Sequence, residues 1–408
     1  MTVNGAPSLD VYAQLAVEVG LNLAPGQDVL VIADVEHAEL TRSVVRRAYE
    51  AGARFVDVEY RDARLSRVRA DLSPDEALGW SPPYRVLQIR DLGDRHGAVV
   101  QITAAPDPAI YEGVDGERLA RSSPTEVRRA YLDQVNEGRV SWTIVAGPTE
   151  AWARRVFGEP DVGRLWAAIA RAVRLDEPDP AAAWREHIDR LSARANALTA
   201  RDFAAIRLRG PGTDLTLGLL EHGIWECAAA TTSWGHPYVP NMPTEEVFTT
   251  PHAERTEGVV RSTKPLVLLG QLVRGIELRF EAGRAVEIRA AEGEDVLRQH
   301  MATDANATRL GEIALVDEDS RVGRTGITFF DTLFDENAAS HIAYGEGLPE
   351  SLPGGADMTW DEREARGINH SSVHIDFMVG NAEVEVDGLE RSGGAAVPIM
   401  RGGDWLLD

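Results

Sequence analysis

Along the first half of the chain, apolar positions recur in two alternating rhythms. Leu9 to Asn22 carries the three-to-four spacing of an amphipathic helix, stopped by Pro25-Gly26. Asp28 to Ala33 is almost wholly apolar, the mark of a strand covered on both faces. A helical pattern over Ala38 to Ala51 ends at Gly52, and Arg54 to Tyr60 returns to strand texture. Strand, helix, strand in that order predicts a βαβ unit and a parallel sheet. The rhythm continues with helices at Pro83–Leu92 and Pro124–Glu137 and strands at Gly97–Thr103 and Val140–Val145. Helical patterns over Val162–Arg174 and Ala181–Ala197 close this half, the second entered through the acidic, proline-rich turn Asp176–Pro180. The turn after the first strand has no G-x-G-x-x-G, so no dinucleotide site is expected there.

After residue 200 the texture changes. Ala205–Arg209 and Asp214–Leu217 flank Gly210-Pro211-Gly212, a hairpin signal. Leu266–Val273, Gly275–Glu281 and Ala285–Ala290 are strand-like and broken by glycines, and period-two alternation returns in Ala382–Asp387. The expected fold class is α/β: an N-terminal parallel-sheet α/β domain over residues 1–200, then a mainly antiparallel α+β domain over 201–408.

Composition narrows the field. The chain has 408 residues, long enough for two cores, and its 44% apolar and 26% charged content is that of a soluble globular protein. A net charge of −23 argues against nucleic acid or an anionic membrane as partner, since both need a basic footprint. No apolar run approaches a membrane span, and the opening Met1–Gly5 has neither the basic nor the apolar region of a secretory leader. One cysteine, Cys227, rules out an internal disulfide framework and fits a reducing, cytoplasmic setting. Lys264 is the single lysine; arginine supplies the other cations.

Candidate chemistry lies in the second half. In Ser371–Gly380, read as a strand, Val373, Ile375 and Phe377 share one face and His374 and Asp376 the other. The latter two sit about 6–7 Å apart, at a rise of about 3.3 Å per residue, close enough to converge on one metal ion or on two adjacent ones. Alone, such a pair is more often a solvated His–Asp face. Three further motifs change the weighting. Asn241–Pro251 holds Glu246 in an extended, proline-bounded segment. Gly311–Val316 places Glu312 at the head of an apolar strand, where an unpaired charge is expensive. Phe334–Gly345 reads as a short helix ended by Gly345, on which His341 and Tyr344 share a face. Each residue has a bland reading: surface acid, cap, hydrogen-bonded core histidine. Together they offer three carboxylates and two imidazoles, the complement of two first-row divalent ions sharing a water.

The four motifs, in this order, resemble those of the thermophilic metalloaminopeptidase family (M29), and the phrase Val19–Gln27 is similar as well, so the resemblance spans essentially the whole chain. It implies a two-domain homodimer that removes the N-terminal residue from peptides. It also implies a dinuclear site of two divalent metal ions (Zn, Co or Mn) in the C-terminal domain. Carried over position by position, the ligands are Glu246, Glu312, His341, His374 and Asp376. Glu246 or Glu312 is the expected acceptor of the water's proton. One position departs from the family: its tyrosine seven residues after the motif histidine is Leu348 here, so Tyr344 is the alternative catalytic tyrosine. The rival enzyme class is a ring-cleaving dioxygenase with one Fe²⁺ on His341, His374 and Asp376. H-E-x-x-H, P-loop and G-x-S-x-G signatures are missing.

Overall fold

A computed structural model describes residues 8–104 and 107–407. Contacts divide the chain into two compact units, Met1–Arg185 with Ala229–Met242, and Glu186–Ala228 with Pro243–Asp408. The second therefore begins inside the helix Pro180–Arg201, and a short later segment returns to the first.

The first unit is built on a parallel sheet of β1 (Asp28–Asp34), β2 (Phe55–Arg61), β3 (Ala98–Thr103) and β4 (Ser141–Ala146), with Asn241–Met242 as a fifth strand beyond β4. Strands β2, β1, β3 and β4 lie side by side in that order, all parallel. Six of the seven β1 residues are buried, as a nearly continuous apolar run requires when helices cover both faces. The helices Ala38–Glu50, Pro83–Asp94 and Thr125–Asn136 supply the crossovers that parallel pairing demands.

The second unit carries two antiparallel sheets. One has eight strands, among them the hairpin Ala205–Gly210/Thr213–Leu219 and the long strand Pro251–Arg261. The other, which carries the candidate chemistry, has five: β5 (Glu226–Cys227), β6 (Glu246–Thr249), β7 (Leu310–Val316), β8 (His341–Gly345) and β9 (His374–Met378), in the spatial order β9-β8-β7-β6-β5. One face of this sheet supplies Val247, Ile313, Leu315, Ile342, Tyr344 and Phe377 to the main core. No described helix is long and apolar enough to cross a membrane.

The expected helix over Phe334–Gly345 is corrected. Helical turns occupy Thr332–Asp335 and Glu336–Ala338, after which the backbone extends and His341–Gly345 is a strand. Ile342, Ala343 and Tyr344 are β-branched, small and aromatic residues packed between two neighbouring strands, and pairing outweighs local helical preference.

Candidate metal centre

In an antiparallel pair, residues directly opposite each other share a face. Glu246 stands opposite Val316, His341 opposite Ala314, and Glu312 opposite Ala343. Across the next pair Asp376 faces Ala343 and His374 faces Gly345. All five predicted ligands therefore project from one side of β6, β7, β8 and β9. Ala314, Ala343 and Gly345 stand between them on that face, with Val316 beside Glu246.

A bulge makes this possible. Leu310 pairs with Tyr344, yet Glu312 pairs with Ala343, so Gly311 is the extra residue. It lets Leu310 enter the core while Glu312, two residues on, turns to the opposite face. A side chain at Gly311 would place its Cβ 1.9 Å from the Glu346 carbonyl oxygen.

The donor atoms converge in two groups that share Glu312: Glu246, Glu312 and His341, and Glu312, His374 and Asp376, each with its ligand atoms within 4.8 Å of one another. His341 Nε2 lies 3.1 Å from Glu246 Oε2 and 3.8 Å from Glu312 Oε1. His374 Nε2 lies 3.1 Å from Glu312 Oε2 and 3.5 Å from Asp376 Oδ1. Each ring is oriented through its other nitrogen, His341 Nδ1 toward the Ala339 carbonyl at 3.3 Å and His374 Nδ1 toward the Glu346 carbonyl at 2.7 Å. That arrangement fixes the tautomer and turns Nε2 to the centre, as ligating histidines require.

Glu246, Glu312 and His341 are 7%, 7% and 1% exposed, so three ionisable groups are buried together. Burial alone would lower the His341 pKa, but the Glu246 and Glu312 carboxylates hold it well above its ordinary value. Burial would raise Glu312, yet the two imidazoles bring it down to about 2. Glu246 is raised, by burial first. Glu246 Oε2 and Asp376 Oδ1 are buried and accept no hydrogen bond within the protein. Oxygens left bare beside two preset imidazoles fit a divalent cation, which would satisfy all of them.

Around the donors a hydrogen-bonded frame sets their elements. Asn337, fully buried, accepts from the Glu245 backbone N–H at 2.7 Å and donates to the Leu333 carbonyl at 3.0 Å, holding β6 where Glu246 begins. Asp304 Oδ2 accepts from Ser371 Oγ, Ser372 N and Ser372 Oγ, each at 2.8 Å, and anchors the loop that leads into His374.

Tyr344 does not join the centre. A strand sends positions three apart to opposite faces, so Tyr344 points away from His341. It is fully buried in the core, and its hydroxyl pairs with His300 Nδ1 at 3.0 Å. The expectation of a shared His341/Tyr344 face rested on the helix that is not there. Conversely, the sequence reading passed over Glu336. This half-buried acid belongs to neither donor group, yet its pKa is raised well above the ordinary value, by burial and then by Glu246 and Asp376. The Asp335-Glu336 acid pair inside an otherwise apolar motif was the signal for it.

The sequence profile of the thermophilic metalloprotease (M29) family matches residues 6–405. The chain belongs to that family. Aminopeptidase T from Thermus thermophilus is 44% identical over 98% of both chains, and aminopeptidase 2 from Geobacillus stearothermophilus is 39% identical over 98% of both. The solved structure of wild-type AmpT from Thermus thermophilus superposes with a TM-score of 0.90 at 42% identity, covering 98% of each chain. A 2,5-dihydroxypyridine dioxygenase from Pseudomonas putida shares the fold alone, with a TM-score of 0.55 at 14% identity over 100% of this chain and 99% of its own. In a metalloprotease of this family, a divalent metal ion belongs to the working enzyme.

Proposed function

We propose that this M29 metalloprotease is an aminopeptidase that releases the N-terminal residue of peptides at a centre of two divalent ions, Zn, Co or Mn, held by Glu246, Glu312, His341, His374 and Asp376. The observation that carries it is the pair of donor groups joined through Glu312 on one sheet face. Bound there, divalent cations supply Lewis acidity and lower the pKa of a coordinated water toward neutrality. The chain's own residues do the rest. Glu246, Glu312 and Asp376 hold the negative charge that neutralises the cations. The backbone-anchored imidazoles fix the donor geometry before substrate arrives. Glu336 stands beside the donors without being one, and its carboxyl is the group placed to take the proton of the attacking water and return it to the leaving amine. In this reading Glu246 and Glu312, the proton acceptors expected from the sequence, serve as metal donors and leave the proton transfer to Glu336.

The single-iron dioxygenase reading is not favoured: it uses two imidazoles and one carboxylate and leaves Glu246 and Glu312 buried without purpose. The resemblance also supports a homodimer. Leu65, Val68 and Leu72, which are 67%, 51% and 77% exposed, form one stripe on the helix Ala63–Leu72 that a second copy would cover. The deciding experiment combines p-nitroanilide hydrolysis with metal analysis. The parent should hold about two ions per chain and turn over Leu-p-nitroanilide. Glu246→Ala should lose metal and activity together. Glu336→Gln should keep its metal and lose kcat by about 10²–10⁴-fold. Full activity in Glu246→Ala would sink the assignment.

A further inference from the structure

Beyond the donors, one acid on the same sheet face and another on an adjoining turn are not used by the hydrolytic step. On β5, Glu226 stands opposite Phe248, and Phe248 stands opposite Ala314, in the row that contains His341. Glu226 thus lies on the metal side of the sheet, two strands from Ala314, or about 10 Å at the usual strand spacing. Phe248, half-buried, lies between them on that face. Glu350 sits on the turn Pro349–Ser351, which is pinned by the Ile224 N–H to the Ser351 carbonyl at 2.8 Å and by the Thr250 N–H to Ser351 Oγ at 3.1 Å. Glu350 is exposed, and it lies within electrostatic reach of Glu226 on one side and of Glu312 and His374 on the other. Neither acid forms an ion pair among the described residues. Burial, and then the charge of Glu350, push the Glu226 carboxyl up to about 7.

Resting on the aminopeptidase reading, we propose that Glu226 and Glu350 bind the cationic side chain of an N-terminal arginine or lysine, with Phe248 as the floor beneath its methylene stem. Length decides between this and capture of the free α-amine. The α-amine is two bonds from the scissile carbonyl carbon and must stay at the donors, whereas a lysine or arginine side chain carries its charge about 6–7 Å from Cα. A side chain of that length, met by the reach of the Glu226 carboxylate, spans from the donors across Phe248 to β5. A guanidinium or ammonium there relieves the repulsion between the two acids, while its stem lies against Phe248.

The test compares kcat/KM for Arg-, Lys- and Leu-p-nitroanilide in the metal-loaded full chain and in its E226Q, E350Q and doubly substituted variants. The parent should favour Arg and Lys over Leu by at least about tenfold, and each substitution should cut the Arg/Leu ratio by about tenfold, mainly through KM. Equal loss on Leu and Arg would assign the pair to the α-amine and overturn the proposal. So would a parent that prefers neither cation. A parent that turns over none of the three substrates would remove the aminopeptidase reading and this pocket with it, whereas unchanged ratios in enzymes active on Leu would remove the pocket alone.

Discussion

Glu226 shows how one side chain's surroundings become measurable. Its folded pKa of about 7 lies above the ordinary 4.5, so the folded chain holds that proton more tightly than the unfolded chain does. The resulting stability is fully present below about 4.5 and is lost as pH rises through about 7. E226Q has no such proton to lose. Its melting temperature should therefore match or fall below the parent's near pH 4.5 and exceed it by pH 8, a crossover that thermal melts across this window would reveal. A constant offset at all pH values would contradict the assigned cause. At this scale the sequence was legible where the residue's own strand explains it. His374 and Asp376 were assigned to one face by alternation alone, and Glu312 by the cost of an acid heading an apolar run. Asp304 and Asn337 were not legible, because their roles come from elements well removed along the chain, whereas Glu336 was signalled by the acid pair it forms with Asp335 and was passed over. Asp304 acts on a loop near residue 371, and Asn337 on a strand near residue 245.

Strand elements carry two duties, alternate residues building the core and the site, and the bulge in β7 reconciles them. Alanine at Gly311 would drive its Cβ into the Glu346 carbonyl, a backbone atom that cannot swing aside as a side-chain tip can. Gly311→Ala should destabilise the chain by about 1–3 kcal/mol and disturb the pairing that turns Glu312 outward. Urea denaturation alongside metal content would check it, and a variant as stable and as metal-rich as the parent would refute this role. The parallel strands β1 to β4 were legible because a doubly covered strand is a continuous apolar run. The strand Pro251–Arg261 was not: much of it is polar or charged, and one face of it is open. The segment His341–Gly345 misled for a related reason. Its apolar residues fit either period over so short a stretch, and only pairing with β7 and β9 decides between them.

For the whole molecule, the α/β class was legible from the alternation of runs, and the function from four separated motifs that the fold brings together. The dioxygenase with the same architecture shows that this architecture alone does not choose the chemistry. The exposed stripe on Ala63–Leu72 supplies the test of assembly. Leu65→Glu combined with Leu72→Glu should convert a sedimenting species of twice the chain mass into one of single mass, and a parent that already sediments as a monomer would end the homodimer proposal. The alanines and glycine between the ligands have a further meaning. They keep the backbone between the donors free of long side chains, a property of residue type that is set once the strands have paired. Cations would then meet a seat whose spacing is set by backbone pairing, before any of them arrives.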